Sequence, residues 1–589
     1  MSAFVGYWSS GNKAELNYLL AKILPEQTHN SHNIEHTFSN SRHCFRVTGW
    51  GKHVQTNFQN EKLTASLAAS ALPDEADVSV EISHAGLKMI RDDFGRATLF
   101  WLQTRDAIWF ATQLKFLLPL LDEAEVSLPA LYGYTCFSYV PGPLTPIKNI
   151  FAMQAGATVD FQFCDLLQPH QIKLSSSPSS DRWREFFPKE QNEISATKHL
   201  QHLLKNAITK QLTDNSESIG VFLSGGLDSA IVAALLVQAG ANVKAFTLDF
   251  GEYGNSEMPY AESVAQHLKI PLIKVEASPQ RIKEALPATA KALDLPYGDG
   301  VTVPLYLLGQ AASNECDIVF NGEGGDQLFA GWANKPLIAA DVYQSVHPDA
   351  PDFYQEYLRT FHRLHGYESQ VLSAASLPEI NKLDPLHWLH ESLDDKYTPS
   401  MLHRLRRANL SLKGAGNIQP RATNLALVHG LAVRTPFGDA ALAEYTFQLP
   451  NSMFLQGTHE KYILKKAVEN WLPDEIVWRE KRGMGVPLTQ WCLAPLWNDI
   501  GHWLQPSVLR DEGFWQEDLA LRVSTGQFSG QIQGRRIGEI LWLLMMWQHW
   551  RFSVLRKDVK RDKCTPFILP SKFWQVAYPH LSDWMKIRT

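Results

Sequence analysis

The residues Ser224-Gly225-Gly226-Leu227-Asp228-Ser229 combine two hydroxyls, two glycines and a carboxylate within six positions. Paired glycines let a backbone wrap closely around an anion, and hydroxyls with backbone N–H groups supply donors to phosphate oxygens. An acid in such a loop is electrostatically out of place unless a divalent cation lies between it and the phosphates, so Asp228 is expected to hold Mg2+. The expected ligand is therefore the pyrophosphate of ATP together with magnesium. A second acidic turn, Asn321-Gly322-Glu323-Gly324-Gly325-Asp326, places two carboxylates beside three glycines that permit close approach of backbone to ligand. Both of these carboxylates, Glu323 and Asp326, are candidates for further metal ligands. A solvated acidic turn is the plain alternative.

These side chains need elements to position them. Ile219-Gly220-Val221-Phe222-Leu223 is an apolar strand pattern that breaks into the first loop, and Ala230 to Val237 is an apolar helix that follows it. The loop's N–H groups then face the ligand from a helix start. Gly240 is a fitting helix stop, and Val243 to Leu248 resumes as a strand, giving the strand, helix, strand order of a parallel α/β sheet. Pro259 is placed to start a helix. Pro271-Leu272-Ile273-Lys274-Val275 and Asp317-Ile318-Val319-Phe320 read as further strands. Leu200, Leu203, Leu204, Ala207 and Ile208 have the spacing of an amphipathic helix ahead of the loop strand.

The first part of the chain, through about Phe163, alternates short β-like runs with turns, as in Ala107-Ile108-Trp109-Phe110-Ala111. Leu174-Ser175-Ser176-Ser177-Pro178-Ser179-Ser180-Asp181 is too polar to hold a core and is expected to be the linker between two domains. The boundaries expected are residues 1–175, 195–555 and a tail over 556–589. From about Ala340 onward the pattern is mostly helical.

At 589 residues, with 45% hydrophobic and 20% charged residues, the chain fits a soluble protein of two or more domains. A net charge of -6 without a basic stripe argues against nucleic acid or an anionic membrane surface as a partner. Cys44, Cys136, Cys164, Cys316, Cys492 and Cys564 lack CxxC spacing, so neither a zinc site nor a disulfide framework is expected. Met1-Ser2-Ala3-Phe4-Val5 does not resemble a secretory signal, and Ile540 to Trp547 is too short to span a bilayer. A cytoplasmic protein is the expectation. Trp491, Trp497, Trp542 and Trp547 are expected in packing rather than on a substrate platform.

Nearly the whole chain resembles the asparagine synthetase family. Its loop is similar to the SGGxDS loop of enzymes that split ATP between the α and β phosphates. The resemblance runs in order through Arg91-Asp92-Asp93-Phe94-Gly95, Tyr139 to Pro143, Leu223 to Ser229, Asn321 to Trp332, Val433 to Asp439 and Glu460-Lys461-Tyr462-Ile463-Leu464-Lys465. It implies a β-rich sandwich of the N-terminal-nucleophile hydrolase type, followed by an adenine-nucleotide α-hydrolase-like (PP-loop) parallel α/β domain with a helical extension. It also implies a reaction: a carboxylate attacks the α-phosphate, an acyl-adenylate and pyrophosphate form, and an amine nitrogen displaces AMP. By the same resemblance, Asp228 and Asp326 hold Mg2+, and Leu223, Leu248, Asn321 and Gly322 line the nucleotide. Lys461 stabilises charge at the reacting centre, the alternative being an exposed helix lysine. Glu323 orients or deprotonates the incoming amine.

The chain also departs from the family. Glutamine-using members carry Met-Cys-Gly where this sequence has Met1-Ser2-Ala3, and the family's Asn-Gly-Glu turn is not found. A hydroxyl is a weaker nucleophile than a thiolate at neutral pH. The implied front domain is thus degenerate, and the nitrogen comes from free ammonia, an ammonia-supplying partner or an amine on the substrate. Gln327 and Asn321 replace a glutamate and a small hydroxyl residue, which leaves the small-molecule or peptide carboxylate unidentified. Asparagine formation from aspartate is the simplest reaction. A peptide cyclase similar to lasso-peptide enzymes, which belong to the same relatives as the β-lactam synthetases, and a non-catalytic scaffold are the alternatives. A homodimer is left open. Gly483-Met484-Gly485-Val486-Pro487 is expected to be either a lid or a plain turn.

Overall fold

Strand β1 (Ala3–Ser9) shows how the first domain is organised: Phe4 and Trp8 point into one core, while Ala3, Val5 and Tyr7 point into another. That split is the two-residue period of a strand buried on both faces. The computed structural model describes residues 2–9, 13–24, 33–39, 44–69, 76–83, 86–165, 168–177, 182–186, 192–212, 218–253, 257–331, 353–361, 364–480, 483–526, 534–562 and 565–574.

Strands β2 (Asn33–Ser39), β3 (Cys44–Trp50), β8 (Phe100–Gln103), β9 (Ala107–Ala111) and β10 (Ile150–Ala152) join β1 in a six-stranded antiparallel sheet, ordered β10-β8-β9-β1-β3-β2. A second six-stranded sheet holds β4 (Val54–Gln59), β5 (Lys62–Leu67), β6 (Val78–Ile82), β7 (Leu87–Arg91), β11 (Thr158–Asp165) and β12 (Gln168–Ser177), ordered β12-β11-β7-β6-β5-β4. Phe4, Trp8, Phe45 and Val47 from the first sheet meet Leu63, Val80, Met89 and Val159 from the second in one core. The front of the chain is therefore the β-rich sandwich expected.

The linker expectation is corrected. Residues 174–177 are part of β12, which pairs antiparallel with β11 from Thr158↔Ser177 to Asp165↔Gln168. β12 is an edge strand, where polar residues are tolerated because the ladder to one neighbour supplies the structure. Residues 178–181 lie outside the described residues.

The second half is built on five parallel strands: β13 (Ile219–Phe222), β14 (Val243–Asp249), β15 (Leu272–Glu276), β16 (Ile318–Phe320) and β17 (Ala432–Arg434), ordered β15-β14-β13-β16-β17. The helix Leu227–Gln238 after β13 is buried from Ser229 to Leu236, which fits its continuous apolar composition. It ends before Gly240, whose φ of 80° is the left-handed stop expected. The helix Glu193–Gln211 buries Leu200, Leu204, Ala207 and Ile208, with Leu203 only partly covered. Helix Met258–Leu268 carries Pro259 in its first turn, as expected.

Strand order reverses between β13 and β16, so the loops leaving their carboxyl ends diverge to open a crevice. The glycine-rich loop and the acidic turn are those two loops.

The two halves share an extensive contact. Arg91 donates from Nη2 to Ala415 O at 3.1 Å, Arg96 Nη2 to Gly438 O at 2.5 Å, and Arg434 Nη1 to Ala69 O at 3.2 Å. Trp491, Trp497, Trp542 and Trp547 are buried in the core that also contains Tyr7 and Trp109, so they pack as expected. Cys44, Cys136, Cys316 and Cys492 are free thiols. The Cys164 side chain, Cys564, Trp332 and residues 575–589 lie outside the description, as do residues 332–352 within the stretch expected to be helical. Among the described residues, no helix is long and apolar enough to cross a membrane.

Candidate functional site

Leu223 extends β13, its N–H bonding Phe246 O at 2.8 Å, and the chain then turns sharply. Gly225 has φ 75°, and a Cβ there would stand 2.7 Å from both Ala261 N and Tyr260 Cβ, so the turn demands glycine. The hydroxyls of Ser224 and Ser229 lie 3.2 Å apart, the Gly226 N–H donates to Ser224 Oγ at 3.3 Å, and Ser229 Oγ donates to Gly226 O at 3.0 Å. The loop holds its own shape. Gly226 is the N-cap of the helix and offers no side-chain cap, so the first turn directs its N–H groups and the positive end of the dipole toward the crevice.

The acidic turn leaves β16 beside it. Asn321 is buried, donates its N–H to Arg434 O at 3.1 Å, and accepts the Glu323 N–H on Oδ1 at 3.0 Å. Gly324 has φ 101°. A Cβ on Gly322 would crowd the Asp228 backbone and Ser229 N, and one on Gly325 would overlap the Asp228 carboxyl group. Glycines in one loop therefore make room for the carboxylate of the other.

Between the two acids sits a cation. Lys461 Nζ lies 2.6 Å from both carboxylate oxygens of Asp228 and 2.5 Å from Asp326 Oδ1. Its side chain is 3% exposed. Burial alone would lower the ammonium's pKa, but Asp228 and Asp326 more than reverse that and hold it above the ordinary lysine range. The alternative of an exposed helix lysine is thereby removed. Lys465, one turn on, is also buried and donates to Arg479 O at 3.1 Å.

The crevice is a cavity of about 870 Å³. Leu223, Ser224, Gly226, Asp228, Ser229, Leu248, Asn321, Gly322, Glu323 and Asp326 all line it. Gly225 shapes the turn without lining the cavity, and Lys461 reaches the acids from an adjoining small cavity shared with Gly226 and Leu227. Gly483 to Pro487 also lies on the wall.

Sequence reasoning missed a second polar cluster in the same cavity. Arg421, 4% exposed, donates from Nη1 to Asp299 Oδ2 at 3.1 Å and to Asn417 Oδ1 at 3.0 Å, while its Nη2 stands 3.7 Å from Glu323 Oε1. The Gly298-Asp299-Gly300 turn was a usable signal, because an acid flanked by glycines often faces a ligand. Arg421 carried none. It follows a ten-residue π-helix, Asn409–Ile418, which also supplies Lys413 and Ile418 to the cavity wall. Segments of π-helix are rare and recur at functional sites.

The acid pair fits magnesium. Carboxylate oxygens are hard donors, and Mg2+ is commonly held by one or two carboxylates with phosphates and water completing the octahedron. Among the described residues, no group of three His, Cys, Asp or Glu side chains is gathered for a metal, so a site made of Asp228 and Asp326 needs water or phosphate oxygens to complete it.

Known proteins bear out the resemblance of the chain. The family model described as asparagine synthase matches residues 199–551, more than half of the sequence. Asparagine synthetase [glutamine-hydrolyzing] 1 of Bacillus subtilis is 22% identical over 510 residues, covering 79% of this chain and 75% of its own length. The human asparagine synthetase [glutamine-hydrolyzing] is 25% identical over 415 residues, covering 68% and 60% respectively. Among solved structures, an NH3-dependent NAD synthetase from Campylobacter jejuni aligns with 36% of this chain and 98% of its own at 16% identity, with a TM-score of 0.19.

Proposed function

The chain belongs to the asparagine synthase family, and from that premise we propose that it is an ATP-dependent ligase that forms an amide through an acyl-adenylate. The observation that carries this reading is the meeting of Asp228 and Asp326, from loops on either side of the strand-order reversal, in one cavity with the serine-glycine loop.

In the proposed reaction, the first turn of helix Leu227–Gln238 and the hydroxyls of Ser224 and Ser229 bind the β and γ phosphates. Magnesium, held by Asp228 and Asp326, would neutralise charge on the departing pyrophosphate. The acceptor carboxylate attacks the α-phosphorus, the bond to the bridging oxygen breaks, and pyrophosphate leaves. Lys461, released from the acids, balances charge on the α-phosphate and then on the acyl carbonyl, where a preorganised cation in a water-poor site is most effective. The amine attacks the carbonyl and AMP departs. Glu323 accepts the proton, held in orientation by Arg421.

The nitrogen donor is proposed to be ammonia or a substrate amine. Ser2 is buried, with its Oγ accepting the His53 N–H at 3.3 Å, and Asp92 in the front domain accepts the N–H groups of Phe94 and Arg96 at 3.1 and 2.8 Å. Both side chains are thus engaged in holding the front domain together.

The test is pyrophosphate and AMP release from ATP, measured over aspartate with ammonia, aspartate with glutamine, and a panel of peptide carboxylates. Turnover yielding AMP supports the ligase, and the productive acceptor identifies its substrate. ADP with phosphate as the products, or no cleavage under any condition, would remove it.

A further inference from the structure

Lys461 is the first residue ahead of helix Tyr462–Val468 and adopts the left-handed conformation, φ 57°, which L-residues with a side chain rarely hold. From there its side chain runs to the two acids, with one positive charge against two negative ones. The surroundings leave little slack. A Cβ on Gly331 would overlap Asp326 Oδ1 and Lys461 Cε, just as one on Gly325 would overlap the Asp228 carboxyl group.

Oxygens that contact one Nζ at 2.5 to 2.6 Å need move inward by only about half an ångström to meet a Mg2+ ion at about 2.1 Å. The ammonium therefore stands where the proposed metal belongs. Both cannot be there together, because two cations on the same oxygens repel each other in a buried site of low dielectric.

We propose that Lys461 occupies the metal position in the nucleotide-free protein and keeps free divalent cations out, so that magnesium enters only together with nucleotide phosphates. This rests on the reading of Asp228 and Asp326 as metal ligands. The triphosphate supplies the missing step: its negative oxygens draw the ammonium from the carboxylates toward the reacting phosphate as the metal takes its place. One lysine thus couples loading of the site to arming it.

The experiment is a Mn2+ titration of the full chain followed by electron paramagnetic resonance, with and without α,β-methylene ATP, which cannot be cleaved at the reacting bond. Wild type is expected to bind Mn2+ only with the analogue. Lys461→Met is expected to bind Mn2+ without it, at least tenfold more tightly than wild type, while Lys461→Arg keeps a cation in place and excludes the metal. Asp326→Asn added to Lys461→Met should abolish that binding. Should Lys461→Met be poorly folded without metal, a Mn2+-dependent rise in its melting temperature that wild type lacks reports the same site. Equal nucleotide-free affinity in wild type and Lys461→Met overturns the proposal while leaving the ligase reading intact. Absence of bound Mn2+ in every protein, analogue included, overturns the assignment of the acid pair itself.

Discussion

Arg421 Nη2 stands 3.7 Å from Glu323 Oε1, so the more exposed acid of the glycine-rich turn faces a guanidinium that is itself anchored on Asp299. A base that must take a proton from an incoming amine gains from being held in one orientation before the amine arrives. Replacing Arg421 by Lys removes the planar fork that serves Glu323, Asp299 and Asn417 together. Amide formation should fall about 10- to 100-fold in kcat while ATP–pyrophosphate exchange falls much less. Equal loss in both reactions would show that Arg421 serves nucleotide binding.

Glu323→Gln keeps the size and the backbone turn but cannot accept a proton. Its amide product should appear about 100-fold or more slowly. Rapid-quench separation of AMP, acyl-adenylate and amide would locate the defect, with accumulated adenylate as the expected outcome.

Gly325→Ala tests the packing between the two loops. Its Cβ would overlap the Asp228 carboxyl group, so ATP-dependent pyrophosphate release should fall below detection, with an overpacking cost of about 1–3 kcal/mol in chemical denaturation. The same substitution at Gly240, where nothing lies within 4 Å of the added Cβ, should leave the activity near wild type. It should cost only the strain of the left-handed conformation, about 1–2 kcal/mol.

His403 should make the fold sensitive to acid. Burial, reinforced by the neighbouring Arg406 cation, pushes its pKa down to about 2. Nε2 donates to Leu449 O at 3.0 Å, leaving Nδ1 to accept from Arg406, an arrangement only the neutral ring can make. With the folded value below the unfolded one near 6.5, this contribution is complete above pH 6.5. It is lost as pH falls toward 2, at about 1.4 kcal/mol per pH unit. Urea unfolding between pH 7 and 4 should show a shallower pH slope for His403→Gln than for wild type. Burial lowers His53 to about 4 and His549 to about 3, so they act in the same direction.

Ammonia should support turnover and glutamine should not. Stoichiometric glutamate release from glutamine, in step with pyrophosphate, would show instead that Ser2 or another group in the front domain retains glutaminase chemistry.

Much of the site was legible because its parts are local. The apolar run Ile219 to Leu223, the glycine turn and the helix behind it are one continuous segment, and strand periodicity with glycine placement is enough to find them. The pairing of Lys461 with Asp228 was not legible, since 233 residues separate them and neither flanking pattern reports the other. Arg421 was hidden for a related reason: a buried arginine in a helix looks like any surface arginine until its partners are known. Leu174 to Ser177 misled because a polar composition suits an edge strand as well as a linker.

The order of the parallel sheet has a consequence for how the chain acquires its activity. β13 and β16 lie side by side but almost a hundred residues apart in sequence, and β17 completes the wall only after a further long excursion. Contacts of such long range form slowly and late. The crevice is thus absent from any chain in which β13 and β16 have not yet paired, and a nucleotide analogue that bound there would select the finished sheet over the incomplete one by mass action. Refolding followed by analogue binding would time the closing of the sheet itself.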